Sequence, residues 1–124
     1  MSEALPLTVL YDGGCPLCSR EIAHYRRIAD GLPIRWVDVV APGANLAPYG
    51  VTRDEALRVF HVIDRAGTLH TRARAFIALW AELPRYWWLA RLCRTLRVEP
   101  LLDWAYGHFA SRHYERRCRE GACG

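Results

Sequence analysis

One segment constrains this chain more than any other: residues 11–18, with the sequence YDGGCPLC. The apolar run 7–11 leads into it, and a helical pattern follows it. Two cysteines with the spacing C-x-x-C at the start of a helix lie nearly one turn apart, which is close enough to form a small disulfide ring. The segment therefore predicts a redox-active dithiol, Cys15 and Cys18, between a strand and a helix.

The two cysteines are expected to have different roles. The first N–H groups of a helix and its dipole stabilise negative charge, so the leading thiol, Cys15, is expected to ionise more readily than a free cysteine. Pro16 suits the first helical turn, where a missing N–H costs nothing. Cys18 shares a helical stripe with Ile22 and Tyr25 and is expected to face the core. The pattern predicts an exposed attacking thiol at Cys15 and a shielded resolving thiol at Cys18.

Asp12 ends the strand three residues before Cys15. Its carboxylate has two candidate roles. It accepts a proton from Cys18 when a mixed disulfide is resolved, or it caps the helix by accepting hydrogen bonds from helix N–H groups. The capping role is slightly favoured. Gly13 and Gly14 allow backbone conformations that other residues avoid, as a tight turn between strand and helix often needs.

A C-x-x-C pair is also half of a zinc site, so a second interpretation exists. Cys118 and Cys123 would complete four thiolates in a zinc-binding interaction module. Otherwise these two cysteines are candidates to shuttle reducing equivalents to Cys15, or they have no particular role. The five histidines show no spacing with the cysteines that matches a known zinc pattern. The redox interpretation, with no cofactor and no metal, is favoured.

On Asp12, Cys15 and Cys18 the chain resembles the DCC proteins, thiol-disulfide oxidoreductases named for the signature Asp-x-x-Cys-x-x-Cys. The resemblance extends to the Tyr-Asp-Gly lead-in, to a strand at 62–64 followed by Gly67, and to an aromatic, arginine-bearing last helix. It implies a thioredoxin-like fold and dithiol chemistry on a disulfide or thiol of a protein or a small molecule. It does not supply a particular substrate.

The order of the predicted elements is that of a thioredoxin-like α/β core, βαβ followed by ββα, with two extra C-terminal helices. The first strand, helix and second strand form a βαβ unit with parallel strands. Thr52 and Glu55 have the spacing of a capping box, and Gly67 closes a hairpin turn. The predicted strands are 7–11, 34–40, 58–63 and 68–70, and the predicted helices are 19–29, 53–57, 73–83, 86–96 and 101–117, with Pro100 separating the last two.

Residues 53–60 contain no proline. Thioredoxins and glutaredoxins place a cis-proline just before the third strand, beside the thiols. The backbone of this chain is therefore expected to shape the substrate site differently.

Length and composition fit one compact domain, 1–117, with its C-terminal helical extension, followed by a flexible, cysteine-containing tail, 118–124. The chain has 124 residues, of which 52% are hydrophobic, and this is enough for a real core. The run 5–11 is too short and too promptly followed by the motif to be a signal peptide, and no uncharged apolar run approaches the roughly 20 residues of a membrane-spanning helix. A cytoplasmic location is therefore expected.

All seventeen basic residues are arginine, and residues 63–124 hold eleven of them against six acidic residues. An anionic partner would meet this half, although no nucleic-acid partner is expected. The segment 85–97 has four arginines, no acidic residue and an aromatic run, which makes it a candidate for weak contact with a membrane surface or a partner. A helix packed on the sheet with its arginines outward is the favoured alternative. Periodicity places Trp36, Trp80, Trp88, Trp104 and Cys93 in the core.

Overall fold

The computed structural model describes residues 6–121. Its strands are β1 (Leu7–Tyr11), β2 (Ile34–Asp38), β3 (His61–Ile63) and β4 (Leu69–Thr71). Its helices are α1 (Pro16–Ile28), α2 (Arg53–Arg58), α3 (Ala73–Trp80), α4 (Trp87–Leu96) and α5 (Glu99–Arg119). A single 3₁₀ turn spans Ala47–Tyr49 in the loop between β2 and α2.

The strands form one sheet in the order β2-β1-β3-β4. β1 pairs in parallel with β2, with Leu7 opposite Ile34 and Tyr11 opposite Asp38, and antiparallel with β3. β3 and β4 form the predicted antiparallel hairpin, and its turn residue Gly67 has a φ of 87°, in the region that favours glycine. This arrangement of strands and helices confirms the thioredoxin-like α/β fold.

Both faces of the sheet are covered. Leu7 and Val9 face a layer formed by α1 and α3, where they are buried with Ile22. Leu10 faces the opposite layer and is buried with Leu57 of α2 and with the loop after β2. Side chains alternate along a strand, and burying each large one stabilises the fold by about 1.5–3 kcal/mol. The central strand therefore anchors both layers, and the dithiol segment starts directly at its end.

Local hydrogen bonds set the ends of several elements. The capping box at α2 is confirmed, because Thr52 Oγ1 accepts the Glu55 N–H at 3.1 Å and Glu55 Oε1 accepts the Thr52 N–H at 3.3 Å. β2 ends at Asp38, two residues earlier than predicted. The Asp38 carboxylate accepts the N–H groups of Gly13 and Val40, so the chain turns there instead of continuing the strand.

Pro100 does not separate the last two helices as predicted. The break lies at Arg97, which has a left-handed φ of 54°, and Pro100 sits in the first turn of α5, where its missing N–H costs no hydrogen bond. α5 continues to Arg119, so Cys118 and Arg119, the first two residues of the predicted tail, lie in this helix. Cys123 lies outside the described residues.

α5 crosses the domain from α3 to the turn between β1 and α1. Asp103 Oδ1 accepts the Ala73 N–H at the start of α3 at 3.0 Å. Further along, the Tyr114 hydroxyl donates to Asp54 of α2. Near the end of the helix, Arg117 is buried against the β1–α1 turn. The C-terminal helix is thereby attached to the part of the chain that carries the dithiol.

α4 packs chiefly against α3 and not on the sheet. Ala90 and Cys93 are buried with Ile77 of α3, which confirms the prediction for Cys93. The prediction was wrong for Trp88 and Trp104, which are 54% and 66% exposed. The buried side of α4 carries Ala90 and Cys93 with the partly buried Leu89, whereas Trp87, Trp88, Leu92 and Leu96 are exposed. No helix within residues 6–121 has the length and apolar character needed to cross a membrane.

Candidate active site

Cys15 and Cys18 lie at the N-terminus of α1, as predicted. Cys15 is the N-cap residue and Pro16 opens the helix. The Cys15 Sγ accepts a hydrogen bond from the Cys18 N–H at 3.3 Å, so a sulfur takes the place that a serine or aspartate oxygen usually has in a helix cap. The two sulfurs lie within 4.8 Å of each other, and neither is in a disulfide. A negative charge on Cys15 therefore meets a helix N–H directly.

The exposure of the two cysteines is the reverse of the prediction. Cys15 is only 4% exposed, whereas Cys18 is partly exposed. Helical periodicity took no account of α5, whose last turns lie over the β1–α1 turn. The pKa of Arg117 is raised chiefly by its hydrogen bond to Asp12, and the nearby charge of Cys15 acts in the same direction. α5 thus brings a cation close to the more buried thiol.

Asp12 makes a buried ion pair with Arg117. The Arg117 Nε donates to Asp12 Oδ2 at 2.7 Å, and its Nη2 donates to Oδ1 at 3.1 Å, which is a two-point contact. The Gly14 N–H donates to the same Oδ1 at 3.0 Å. The Asp12 carboxylate therefore stabilises the turn before the helix. The helix cap that was predicted for Asp12 is formed instead by Cys15, whose sulfur accepts the Cys18 N–H.

The two glycines are required for space. Neither Gly13 nor Gly14 has the positive φ that the sequence argument invoked. A Cβ at Gly13 would overlap the Asp38 carboxylate, which accepts the Gly13 N–H, and a Cβ at Gly14 would overlap the Arg117 guanidinium. The bare backbone at these positions allows β2 and α5 to approach the dithiol turn.

α5 also brings a histidine to the dithiol. His113 Nε2 lies 3.7 Å from Cys18 Sγ, and the ring stacks on Phe109. The sequence gives no indication of this contact, because 95 residues separate His113 from Cys18 and no spacing rule links them. His113 and Arg117 are four residues apart and therefore lie on the same face of α5. This spacing is the only feature of the sequence that links the two residues.

The environment separates the protonation states of these groups. Burial raises the pKa of the Cys18 thiol well above its ordinary value, and the hydrogen bond and charge of Cys15 raise it further. Burial also lowers the pKa of the His113 imidazole, although the Asp12 charge opposes this in part. At neutral pH Cys18 is therefore protonated and His113 is neutral, with its Nε2 next to the thiol.

The sulfurs of Cys15 and Cys18 and a ring nitrogen of His113 lie within 4.8 Å of one another, the one such cluster of metal-ligand side chains in residues 6–121. Thiolate and imidazole donors suit zinc and copper(I). The sequence spacing matches no known zinc pattern and therefore gives no indication that His113 lies beside the cysteines. Cys118 is not part of this cluster, and Cys123 lies outside the described part of the chain. The four-thiolate zinc module is therefore not favoured.

A small apolar cavity of about 90 Å³ borders Cys18, whereas Cys15 does not line it. Its lining includes Cys18 and His113 together with the apolar residues Leu17, Phe60 and Phe109. The Phe60 N–H, which precedes β3, donates to the Tyr106 hydroxyl of α5 at 2.9 Å. Phe60 stands before the third strand, where thioredoxins have a cis-proline. Its backbone N–H is hydrogen-bonded by Tyr106 of α5, so α5 closes this side of the site.

Comparison with known proteins agrees with this geometry. A family model described as DCC1-like thiol-disulfide oxidoreductase matches residues 9–119, which include the last three residues of β1, the dithiol and all of α5. No curated protein and no solved structure matches the chain. The match spans most of the chain.

Proposed function

Because the chain belongs to the DCC1-like thiol-disulfide oxidoreductase family, we propose that it exchanges disulfides with Cys15 as the attacking thiol and Cys18 as the resolving thiol. The observation that carries this assignment is the helix cap: Cys15 Sγ accepts the Cys18 N–H, while the pKa of Cys18 is raised by burial and by Cys15. The thiolate is the nucleophile in disulfide exchange. The raised pKa disfavours the thiolate of Cys18, so Cys15, whose sulfur accepts the helix N–H, is proposed as the attacking thiol.

The reaction has two exchanges. In the first, the Cys15 thiolate attacks one sulfur of a substrate disulfide, the substrate S–S bond breaks, and the other substrate sulfur leaves as a thiolate. In the second, Cys18 loses its proton and attacks the Cys15 sulfur of the mixed disulfide, which releases the second substrate thiolate. The substrate gains two electrons, and the dithiol becomes a Cys15–Cys18 disulfide. The same steps in reverse oxidise a substrate dithiol.

His113 is proposed as the group that accepts the Cys18 proton in the second exchange. It is neutral at neutral pH, and its Nε2 lies 3.7 Å from the Cys18 sulfur. Asp12, which the sequence argument considered for this task, has both carboxylate oxygens engaged by Arg117 and the turn. Asp12 acts instead as a positioning residue that orients the turn. Burial is the main reason that the pKa of Cys18 is raised, and the Asp12 charge adds to this effect.

The cavity supports a preference for a substrate with an apolar group beside its disulfide. Its walls near Cys18 carry Leu17, Phe60 and Phe109, and its volume of about 90 Å³ suits a short apolar side chain. The Tyr106 hydroxyl occupies the Phe60 N–H, so this backbone group is not free to pair with an extended substrate chain. Recognition then depends on the side chain and not on an added β-strand.

Competitive alkylation tests which thiol attacks, because exposure and ionisation favour different cysteines. Exposure favours Cys18, since Cys15 is only 4% exposed. The raised pKa of Cys18 and the helix N–H that Cys15 Sγ accepts favour Cys15. At about pH 6 an ordinary thiol is almost wholly protonated, so iodoacetamide should modify Cys15 first, as followed by peptide mass spectrometry. Faster modification of Cys18 would instead make Cys18 the attacking thiol and Cys15 the resolving thiol.

Trapping of partners tests the exchange reaction itself. Cys18→Ser keeps the attacker and removes the group that releases the substrate, so this variant should accumulate mixed disulfides in a cell extract. Cys15→Ser should accumulate few. Cys93→Ala, which removes the other free thiol among residues 6–121, serves as the control and should match the wild type. Equal trapping by the two dithiol variants, or none from either, would contradict the proposed mechanism.

A further inference from the structure

α4 presents an aromatic, apolar and basic face to solvent. Four large apolar side chains of this helix are between 46% and 62% exposed: Trp87, Trp88, Leu92 and Leu96. Single exposed apolar residues are ordinary on a protein surface, whereas several on one helix mark a contact surface. These four residues and the exposed arginines of the same segment, Arg85, Arg91, Arg94 and Arg97, are called the α4 surface below.

The apolar residues of the α4 surface are ordered along the helix. Trp88, Leu92 and Leu96 are four residues apart and form one outward row. The opposite side of the helix, with Ala90 and Cys93, is packed against α3. The Trp88 indole N–H donates to the Arg85 carbonyl oxygen at 2.8 Å, which holds the ring in this row. The row is therefore a convex ridge on a helix that the domain fixes from behind.

The charge of the α4 surface has one sign. The acidic residues nearest to it in the chain, Glu82 and Glu99, are paired with Arg65 and Arg74 respectively, each at 3.5 Å. Within residues 6–121, none of the four arginines of the α4 surface has an ion-pair partner. Four exposed cations without a counter-charge, set beside apolar side chains, match an anionic partner that also has an apolar layer.

We propose that the α4 surface binds membranes that contain anionic lipids. The arginines contact the phosphate and carboxylate groups of the lipid heads, and Trp88, Leu92 and Leu96 enter the boundary between head groups and acyl chains. Tryptophan is enriched at this boundary because its ring is apolar while its N–H stays near water. The interaction is peripheral and independent of the thiol chemistry.

Two other occupants fit the surface less well. A second copy of the chain would bring the same unpaired arginines face to face, and the chain already carries a net charge of +4. A helical peptide is usually bound in a groove, whereas this row is a convex ridge. A lipid surface supplies negative charge and an apolar layer together, without a requirement for a groove.

Vesicle sedimentation tests the proposal. The full chain should bind phosphatidylcholine vesicles that contain about one third phosphatidylserine at least ~10-fold more tightly than pure phosphatidylcholine, and added salt should weaken this binding. Replacement of exposed arginines in Arg91→Gln/Arg94→Gln should lower the affinity about tenfold. The matched control Arg20→Gln/Arg53→Gln removes the same charge from exposed arginines of α1 and α2 and should change the affinity much less.

A second pair of variants tests the apolar row. Trp88→Ser should weaken vesicle binding, whereas Trp104→Ser, which removes an exposed tryptophan of α5, should not. Circular dichroism verifies that each variant is folded. Equal binding with and without phosphatidylserine, or equal losses in the variant and its control, overturns the proposal. Binding to polyglutamate without binding to vesicles assigns an acidic protein instead, and a dimer that Trp88→Ser abolishes assigns a second copy; either result also overturns it.

Discussion

α1 and α5 both contribute to the dithiol site, but only α1 shows its contribution in the sequence. The functional groups of α1 lie within four residues, because Cys15 and Cys18 need one helical turn between them. α5 supplies His113 and Arg117 from 95 and 105 residues away. A sequence motif can reveal functional residues whose relative position is set by local backbone geometry. Chemistry that depends on how a distant helix packs leaves no comparable spacing.

The inward face of α5 also has an unusual composition. The residues that attach it to the domain are polar or aromatic: Asp103, Tyr106, His113, Tyr114 and Arg117. Its exposed residues include Leu101, Trp104 and Phe109, each more than half exposed. The rule that apolar residues face inward therefore assigns the wrong side of this helix. That is why Trp104 was predicted in the core and His113 was not predicted at the site.

The largest effect should follow from removing the Arg117 side of the buried ion pair. Arg117→Met leaves the Asp12 carboxylate buried without its partner, which should lower the free energy of unfolding by about 3 kcal/mol. Urea denaturation measures this. Arg58→Met is the matched control, because Arg58 and Asp54 pair on the surface and their loss should have little effect. A loss at Arg117 as small as that at Arg58 would show that α5 is attached elsewhere.

The fold was largely predictable because it depends on local rules. β1 is a short buried run, Pro16 and the box formed by Thr52 and Glu55 mark helix starts, and Gly67 marks a hairpin. Element ends shifted by a few residues where a tertiary hydrogen bond intervened, as at Asp38. The identities of the thiols were predictable on the same grounds. Their relative exposure was not, because α5 determines it.

Two glycine substitutions sharpen the difference between a crowded turn and an open helix. Gly13→Ala places a Cβ against the Asp38 carboxylate and should destabilise the fold by about 2 kcal/mol. Gly107→Ala, in the middle of α5 with no atom within 4 Å of the new Cβ, should stabilise it by about 0.5–1 kcal/mol. Thermal denaturation of both variants measures the difference. Changes of the same sign would contradict the spatial explanation for Gly13.

His113→Gln tests the chemical contribution of α5 separately from its structural one. Without the imidazole next to Cys18, release of a preformed mixed disulfide at pH 7 should slow about tenfold, or about 1.4 kcal/mol, whereas the first attack by Cys15 should keep its rate. Stopped-flow measurement of the two steps separates them. In the wild type, the release rate should rise with pH through the lowered His113 pKa and then level off. If this pH-dependent rise of the release rate is absent in His113→Gln, His113 accepts the proton.

Equal slowing of both steps in His113→Gln would indicate a structural role instead. The appropriate comparison is Asp12→Asn, which keeps the shape of the carboxylate and removes its charge. Because Asp12 is paired with Arg117, this variant should lose stability while it retains the pH step that belongs to His113. A pH step that disappears in Asp12→Asn and persists in His113→Gln would return the proton transfer to Asp12.

The smallest expected effect is a loss of stability in mild acid, to which the site histidine and a histidine of the sheet both contribute. Burial lowers the pKa of His113 and of His61, whose ring lies 2.8 Å from the Val59 carbonyl oxygen. The unfolded chain, with histidine pKa values near 6.5, then binds protons before the folded chain does. Stability is therefore fully present above about pH 6.5 and falls as the pH drops toward the folded-state values. Aspartates titrate lower, near pH 4, so urea denaturation at about pH 7.5, 6.5 and 5.5 isolates the histidines. The loss should shrink in His61→Gln and in His113→Gln, and an unchanged loss in both would assign it to other groups.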